Sequence, residues 1–78
     1  MRGGHYMSFN YSKLKGRIIE KYGTQRNFAR EMNLSEKTLS SKLKNVTSWK
    51  NDDISRACDL LEIPMEEIPV YFFEVEVQ

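Results

Sequence analysis

The sequence predicts a compact all-α domain of four to five helices that ends in a short β-strand-like tail. Three observations carry this. Apolar residues recur at helical spacing in separate stretches, residues that cap helices open most of those stretches, and after Pro69 the apolar spacing changes to every second position.

Asn10 or Ser12 can cap a first helix reaching about Tyr22, because Leu14, Ile18 and Tyr22 share one face. Gly23 supplies a left-handed stop. Thr24 caps a short second helix, Gln25 to Met32, with Phe28, Ala29 and Met32 turned inward, and Asn33 follows as a substitute for glycine where φ is positive. Ser35 caps a third helix held by Leu39 and Leu43, with Thr38 packed beside them. A loop from Asn45 to Lys50 is anchored by Val46 and by Trp49, expected as a core plug. Asn51 caps a fourth helix, with Asp52 and Asp53 where the helix dipole favours anions. Its apolar side carries Ile54, Ala57 and Leu61, with Cys58 a small buried hydrophobe, and Pro64 ends it near Glu62. A final turn, Met65 to Ile68, is closed by Pro69. In "VYFFEVEVQ", Tyr71, Phe73, Val75 and Val77 then alternate with Phe72, Glu74, Glu76 and Gln78, which is a strand pattern. One strand is not stable alone, and no second strand pattern is present to pair with it.

The chain divides into residues 1–7, a leader or an expression remnant without periodic pattern; a domain over 8–69; and a tail over 70–78. At 78 residues one core is only just sufficient, and a large active-site cavity is not expected. One cysteine and one histidine leave no Ser/His/Asp, Cys/His or metal-ligand constellation, so the reading is not an enzyme and without cofactor, metal or small-molecule ligand. No apolar run can span a membrane and no cleavable leader is present, which predicts a cytoplasmic protein.

A formal net charge of +1 conceals an asymmetry. From Ser12 to Lys50, ten Lys/Arg stand against three acids; from Asn51 to Gln78, Arg56 stands against eight. Solvated faces of a small domain would explain each half alone, but so clean a split suggests one half that meets a polyanion and another that avoids it.

The helices at 25–32 and 35–43, joined by Asn33 and Leu34, satisfy the spacing of a helix-turn-helix, in which a small Ala29 admits a close crossing. A plain helical corner would satisfy it equally. "TQRNFAREMNLSEKTLSSKLKN", Thr24 to Asn45, resembles the DNA-binding motif of the lambda-repressor-like family, with Asn33 in place of the usual turn glycine. The longer run of "LSSKLKN", Trp49, "DDI" and "LEIPMEEIPVYFF" is similar to small phage and prophage repressor-type (Cro-like) proteins of Gram-positive bacteria, a likeness covering about Tyr11 to Phe73.

The resemblance implies a sequence-specific binder of double-stranded DNA, bound as a dimer to a palindromic operator and repressing transcription by occupying it. Gln25, Ser35, Glu36, Lys37, Ser40 and Ser41 become the base-reading candidates, with Lys37 suited to guanine O6/N7 and Glu36 to a cytosine amine. Thr24, Arg26, Lys42, Lys44, Asn45, Thr47 and Ser48, at helix ends and in the following loop, become the phosphate candidates. For the dimer contact, Tyr71, Phe73, Val75 and Val77 would pair with a twin strand in an antiparallel ribbon. Alternatively the tail folds back, Tyr71 to Phe73 complete the monomer core and the remainder is frayed. The acidic half could contact RNA polymerase. A different class remains open: a protein-interaction module, such as an antirepressor or an antitoxin-like partner, built on the same fold.

Overall fold

Helix α1 (Ser12–Tyr22) buries Leu14 and Ile18, one turn apart on one face, and stops at Gly23, whose φ of 82° only a residue without Cβ adopts freely. The computed structural model describes residues 8–76, so the expected leader at 1–7 and Val77 of the expected ribbon lie outside the described residues. Asn10 serves the start of α1 from just outside it, its Oδ1 accepting the Ser12 N–H at 2.8 Å. Four more helices follow: α2 (Gln25–Glu31), α3 (Glu36–Leu43), α4 (Asn51–Leu61) and α5 (Ile68–Phe72), the last entered through a 3₁₀ turn at Met65–Glu67.

Helix α1 is the hub, packed against α2, α4 and α5, while α3 leans on α2. Polar side chains fasten the helix ends to one another. Arg17 lies across the end of α4, its Nε donating to the Leu61 carbonyl at 2.9 Å and its Nη2 to the Glu62 carbonyl at 3.3 Å. Carbonyls that a helix terminus leaves without an internal partner are thereby satisfied. The Tyr22 hydroxyl donates to the Leu60 carbonyl, and Arg56 of α4 donates to the Met32 carbonyl at the end of α2. Helix α4 begins one residue earlier than its sequence suggests: Lys50 holds the cap position, and its N–H donates to the Asp53 carboxylate at 3.3 Å, making Asn51 the first helical residue.

The C-terminal segment departs from the expected strand. Pro69 does not close the final turn; it stands in the first turn of α5. There the helix has no N–H partner to lose, and proline's fixed φ favours helical geometry. Tyr71 and Phe72 are consequently helical, and Phe72, assigned by alternation to the polar face, is 1% exposed in the core. The backbone extends only after Phe73, and it pairs within the chain. Phe9 and Val75 form an antiparallel bridge, Asn10 N–H donates to Glu74 O at 2.7 Å, and Glu76 N–H donates to Ser8 O at 2.9 Å. The partner strand thus comes from the residues before α1, where Phe9 and Tyr11 alternate with Ser8 and Asn10 over a stretch too short to signal a strand in the sequence. Of the fold-back alternative, Phe72 enters the core as expected, but Phe73 stays 49% exposed and the residues after it are bridged to the chain before α1 and not frayed.

Above this bridge sits an aromatic cluster. Trp49 meets Phe72 edge-on with ring centroids 5.1 Å apart, and Phe9 meets Phe73 at 5.8 Å, both favoured T-shaped arrangements. Trp49 is therefore the expected plug, although its indole N–H is buried with no acceptor among the described residues.

Asn45 ties the cluster to α3. At a φ of 66°, its side-chain amide accepts the Phe9 N–H and donates to the Phe9 carbonyl, each at 2.9 Å. Asn45→Ala is expected to cost about 1–2 kcal/mol, because both Phe9 groups lose a partner and alanine takes positive φ less readily than asparagine. Urea denaturation checks this; Asn45→Asp, which keeps the acceptor and loses the donor, should fall between the two.

Candidate functional site

The helix-turn-helix segment is built by two side-chain caps and one packed turn. Thr24 accepts the Asn27 N–H at 3.0 Å to start α2, and Ser35 accepts the Thr38 N–H at 3.0 Å to start α3. Between them Asn33 takes a φ of 60°, and the Leu34 N–H returns to the Ala29 carbonyl at 2.9 Å, closing the corner. Phe28, Ala29, Met32, Leu39 and Leu43 are buried beneath it. This burial pins α3 along one side and leaves its other side to solvent.

On that outer side Glu36, Lys37 and Lys44 are exposed, and Ser40 and Ser41 are half-buried beside them. Gln25 is half-buried at the start of α2, next to an exposed Arg26. Two expectations for α3 change. Thr38 is exposed rather than packed inward, and the Ser35 hydroxyl donates to its Oγ1 at 2.8 Å, so the one hydroxyl proton of Ser35 is spent within the helix start. Ser35 is a cap first, with only acceptor capacity left over.

The expected phosphate set divides in two. Thr24, Arg26, Lys44, Thr47 and Ser48 are exposed. Lys42 is not: only 6% exposed, it turns its ammonium to Asp53 of α4 at 3.0 Å and to the Ser48 carbonyl at 3.0 Å. Asn45 is committed to Phe9. Neither side chain is free to grip a phosphate, and the reason in each case is a long-range partner. In exchange, Arg30 and Lys50, outside the expected set, are exposed on the basic segment; their signal was the charge pattern, not the motif.

Few titrating groups are perturbed. Burial pulls the Asp53 carboxyl upward, but the Lys42 hydrogen bond, the Lys50 N–H and the charges of both ammonium groups outweigh it and hold the group below its ordinary value. Burial, helped by Asp59, pushes the Cys58 thiol up, which suits a packed hydrophobe and not a nucleophile. Burial likewise raises the Tyr11 phenol. Among the described residues no cluster of three or more His, Cys, Asp or Glu could hold a metal, and no helix is long and apolar enough to cross a membrane.

The chain is similar to known proteins in two comparisons. A family model described as "Protein of unknown function (DUF739)" matches residues 7–75. The chain is also similar to the modulator of repression (MOR) of the temperate bacteriophage TP901-1 from Lactococcus lactis, whose solution structure matches with a TM-score of 0.77 and 49% identity over 91% of this chain and 96% of that one. That relative is, by its description, a regulatory protein of a phage. No curated protein sequence matches the chain.

Proposed function

The chain belongs to the family of proteins of unknown function DUF739, and we propose that it modulates repression in a phage or prophage switch by docking onto a repressor protein. The observation that carries this reading is the 49% identity, spread over 91% of the chain, to a protein described as a modulator of repression. A modulator acts on repression exerted by another molecule, and the internal use of Lys42 and Asn45 thins the set of groups that would grip a duplex. The reading is tested by titrating the chain into the purified repressor of the same phage or prophage, with and without its operator. A stable complex and altered operator occupancy are expected; no complex and unchanged occupancy at large excess would overturn it.

A second reading is favoured by the α2–α3 corner. In it the chain binds double-stranded DNA itself, as a homodimer on a palindromic operator, with Glu36, Lys37, Ser40 and Ser41 toward base edges, Gln25 and Ser35 beside them, and Thr24, Arg26, Lys44, Thr47 and Ser48 toward the backbone. Under that reading Lys37→Ala costs about 1–3 kcal/mol of binding and relaxes preference at one base pair, whereas Lys44→Ala weakens all duplexes alike and flattens the salt slope by about one. Retardation assays on duplexes selected from a random pool would measure both, and no retardation at low salt would sink it. Both readings place the protein in the cytoplasm of a bacterial host.

A further inference from the structure

The acidic end of the molecule carries a feature that the helix-turn-helix does not use. A groove of about 410 Å³ opens between α4 and the 3₁₀ turn leading into α5, floored by Ile54, Cys58, Ile63 and Ile68 and edged by Met65 and Phe73. Met65 is 81% exposed and Phe73 49%, unusual exposures for such large apolar side chains. Methionine is flexible and polarizable, and recurs on surfaces that adapt to a partner.

Charge selects the occupant. Among the acids of this half, Asp53 is paired with Lys42 and Glu62 with Lys21. Asp52, Asp59, Glu66, Glu67, Glu74 and Glu76 are exposed and form no ion pair among the described residues; the one arginine of the segment, Arg56, donates to the Met32 carbonyl and lies beside Asp52 and Asp59, offsetting one of these six charges. A largely apolar trough lined by Asp59, with Glu66 and Glu67 next to Met65 in sequence, on a segment of net negative charge repels a nucleic acid or an anionic membrane. It attracts a helix with aliphatic side chains on one face and Lys/Arg along its edges.

We propose that this groove is the docking site for a basic amphipathic helix of the partner protein. The assignment of the partner as a repressor rests on the reading above; the groove and the chemistry of its occupant do not. The apolar side chains of the helix enter over Ile54 and Ile68, Met65 and Phe73 close against them, and Asp59, Glu66 and Glu67 meet its cationic edge. The basic half of a second copy is the competing occupant, and it would appear as self-association.

Two probes test this on the full chain labelled with ¹⁵N: a synthetic helical Leu/Lys amphipathic peptide and its Leu/Glu counterpart. The Leu/Lys peptide is expected to shift the amides of Ile54, Ile63, Met65 and Phe73, the Leu/Glu peptide none of them. Met65→Glu and Phe73→Glu, both at exposed positions and checked for folding by circular dichroism, should each weaken the peptide by about tenfold or more. Shifts centred on α2 and α3, self-association without peptide, or undiminished affinity in both variants would overturn the groove. The same variants are then titrated against the phage repressor. Repressor binding retained at full strength by both variants overturns the groove and leaves the repressor reading standing; no repressor binding by the wild-type chain, with the peptide still mapping to the groove, does the reverse.

Discussion

Phe72→Ala is expected to remove about 3–5 kcal/mol of stability, the usual cost of deleting a fully buried aromatic ring. The ring is 1% exposed and lies edge-on against Trp49, where α5 closes over α1. Native proteins hold a net stability of only about 5–15 kcal/mol, so this loss is a large fraction of the total and should move the urea midpoint far down. The neighbouring substitution sharpens the result. Phe73 is 49% exposed, and Phe73→Ala should cost about 1 kcal/mol, since half of its surface is already in water. Urea titration of both proteins is the measurement. A strand in this segment predicts the opposite order, with Phe72 on the solvent face and Phe73 inward, so equal or reversed losses would refute the helical assignment of α5.

Lys42→Ala should cost about 2–4 kcal/mol, somewhat below the range for a wholly buried pair because Asp53 keeps partial access to solvent. Two groups lose their partner at once: the Asp53 carboxylate and the Ser48 carbonyl both accept from the Lys42 ammonium at 3.0 Å. Most of the loss is the penalty of leaving a carboxylate unpaired next to the core, so the Lys42→Met, Asp53→Leu double variant should recover a large part of it. A residue devoted to phosphate would behave differently, leaving stability unchanged and flattening the salt dependence of DNA binding.

The same pair sets a pH dependence. Asp53 titrates below its ordinary value in the folded chain, so the unfolded chain takes up its proton first as pH falls. The stabilisation is complete at neutral pH, begins to decline near the unfolded carboxyl pKa of about 4, and is gone below the folded value. The stability difference between the wild type and Lys42→Ala should therefore shrink on acidification through that range, as denaturation curves at successive pH values would record.

Local signals in the sequence were sufficient wherever the physics is local. Thr24 and Ser35 cap α2 and α3 as their side chains suggest, Gly23 and Asn33 take the positive φ that ends a helix, and Leu14, Ile18, Phe28, Leu39 and Leu61 are buried as their spacing requires. Each of these depends on residues within about one turn, so the information lies in the neighbouring letters. The outward side of α3 was legible for the same reason: burying Leu39 and Leu43 decides where Glu36, Lys37 and Lys44 point.

What lay beyond the sequence depends on partners far along the chain. Lys42 reads as a surface cation until Asp53 and the Ser48 carbonyl are brought to it, and Asn45 reads as a loop polar group until Phe9, 36 residues away, meets its amide. The tail was misread because Phe72, Glu74 and Glu76 alternate with apolar residues over a span too short to separate a strand from a helical turn, and Pro69 is compatible with either a helix stop or a helix start. Packing of Phe72 under Trp49 decides for the turn, and the residues before α1 then supply the one pairing that the extended end retains. The charge split, by contrast, is written in the sequence, but only the tertiary structure leaves six of its carboxylates without an ion pair among the described residues and sets Asp59 in the lining of a largely apolar groove, because pairing and exposure are properties of the assembled surface.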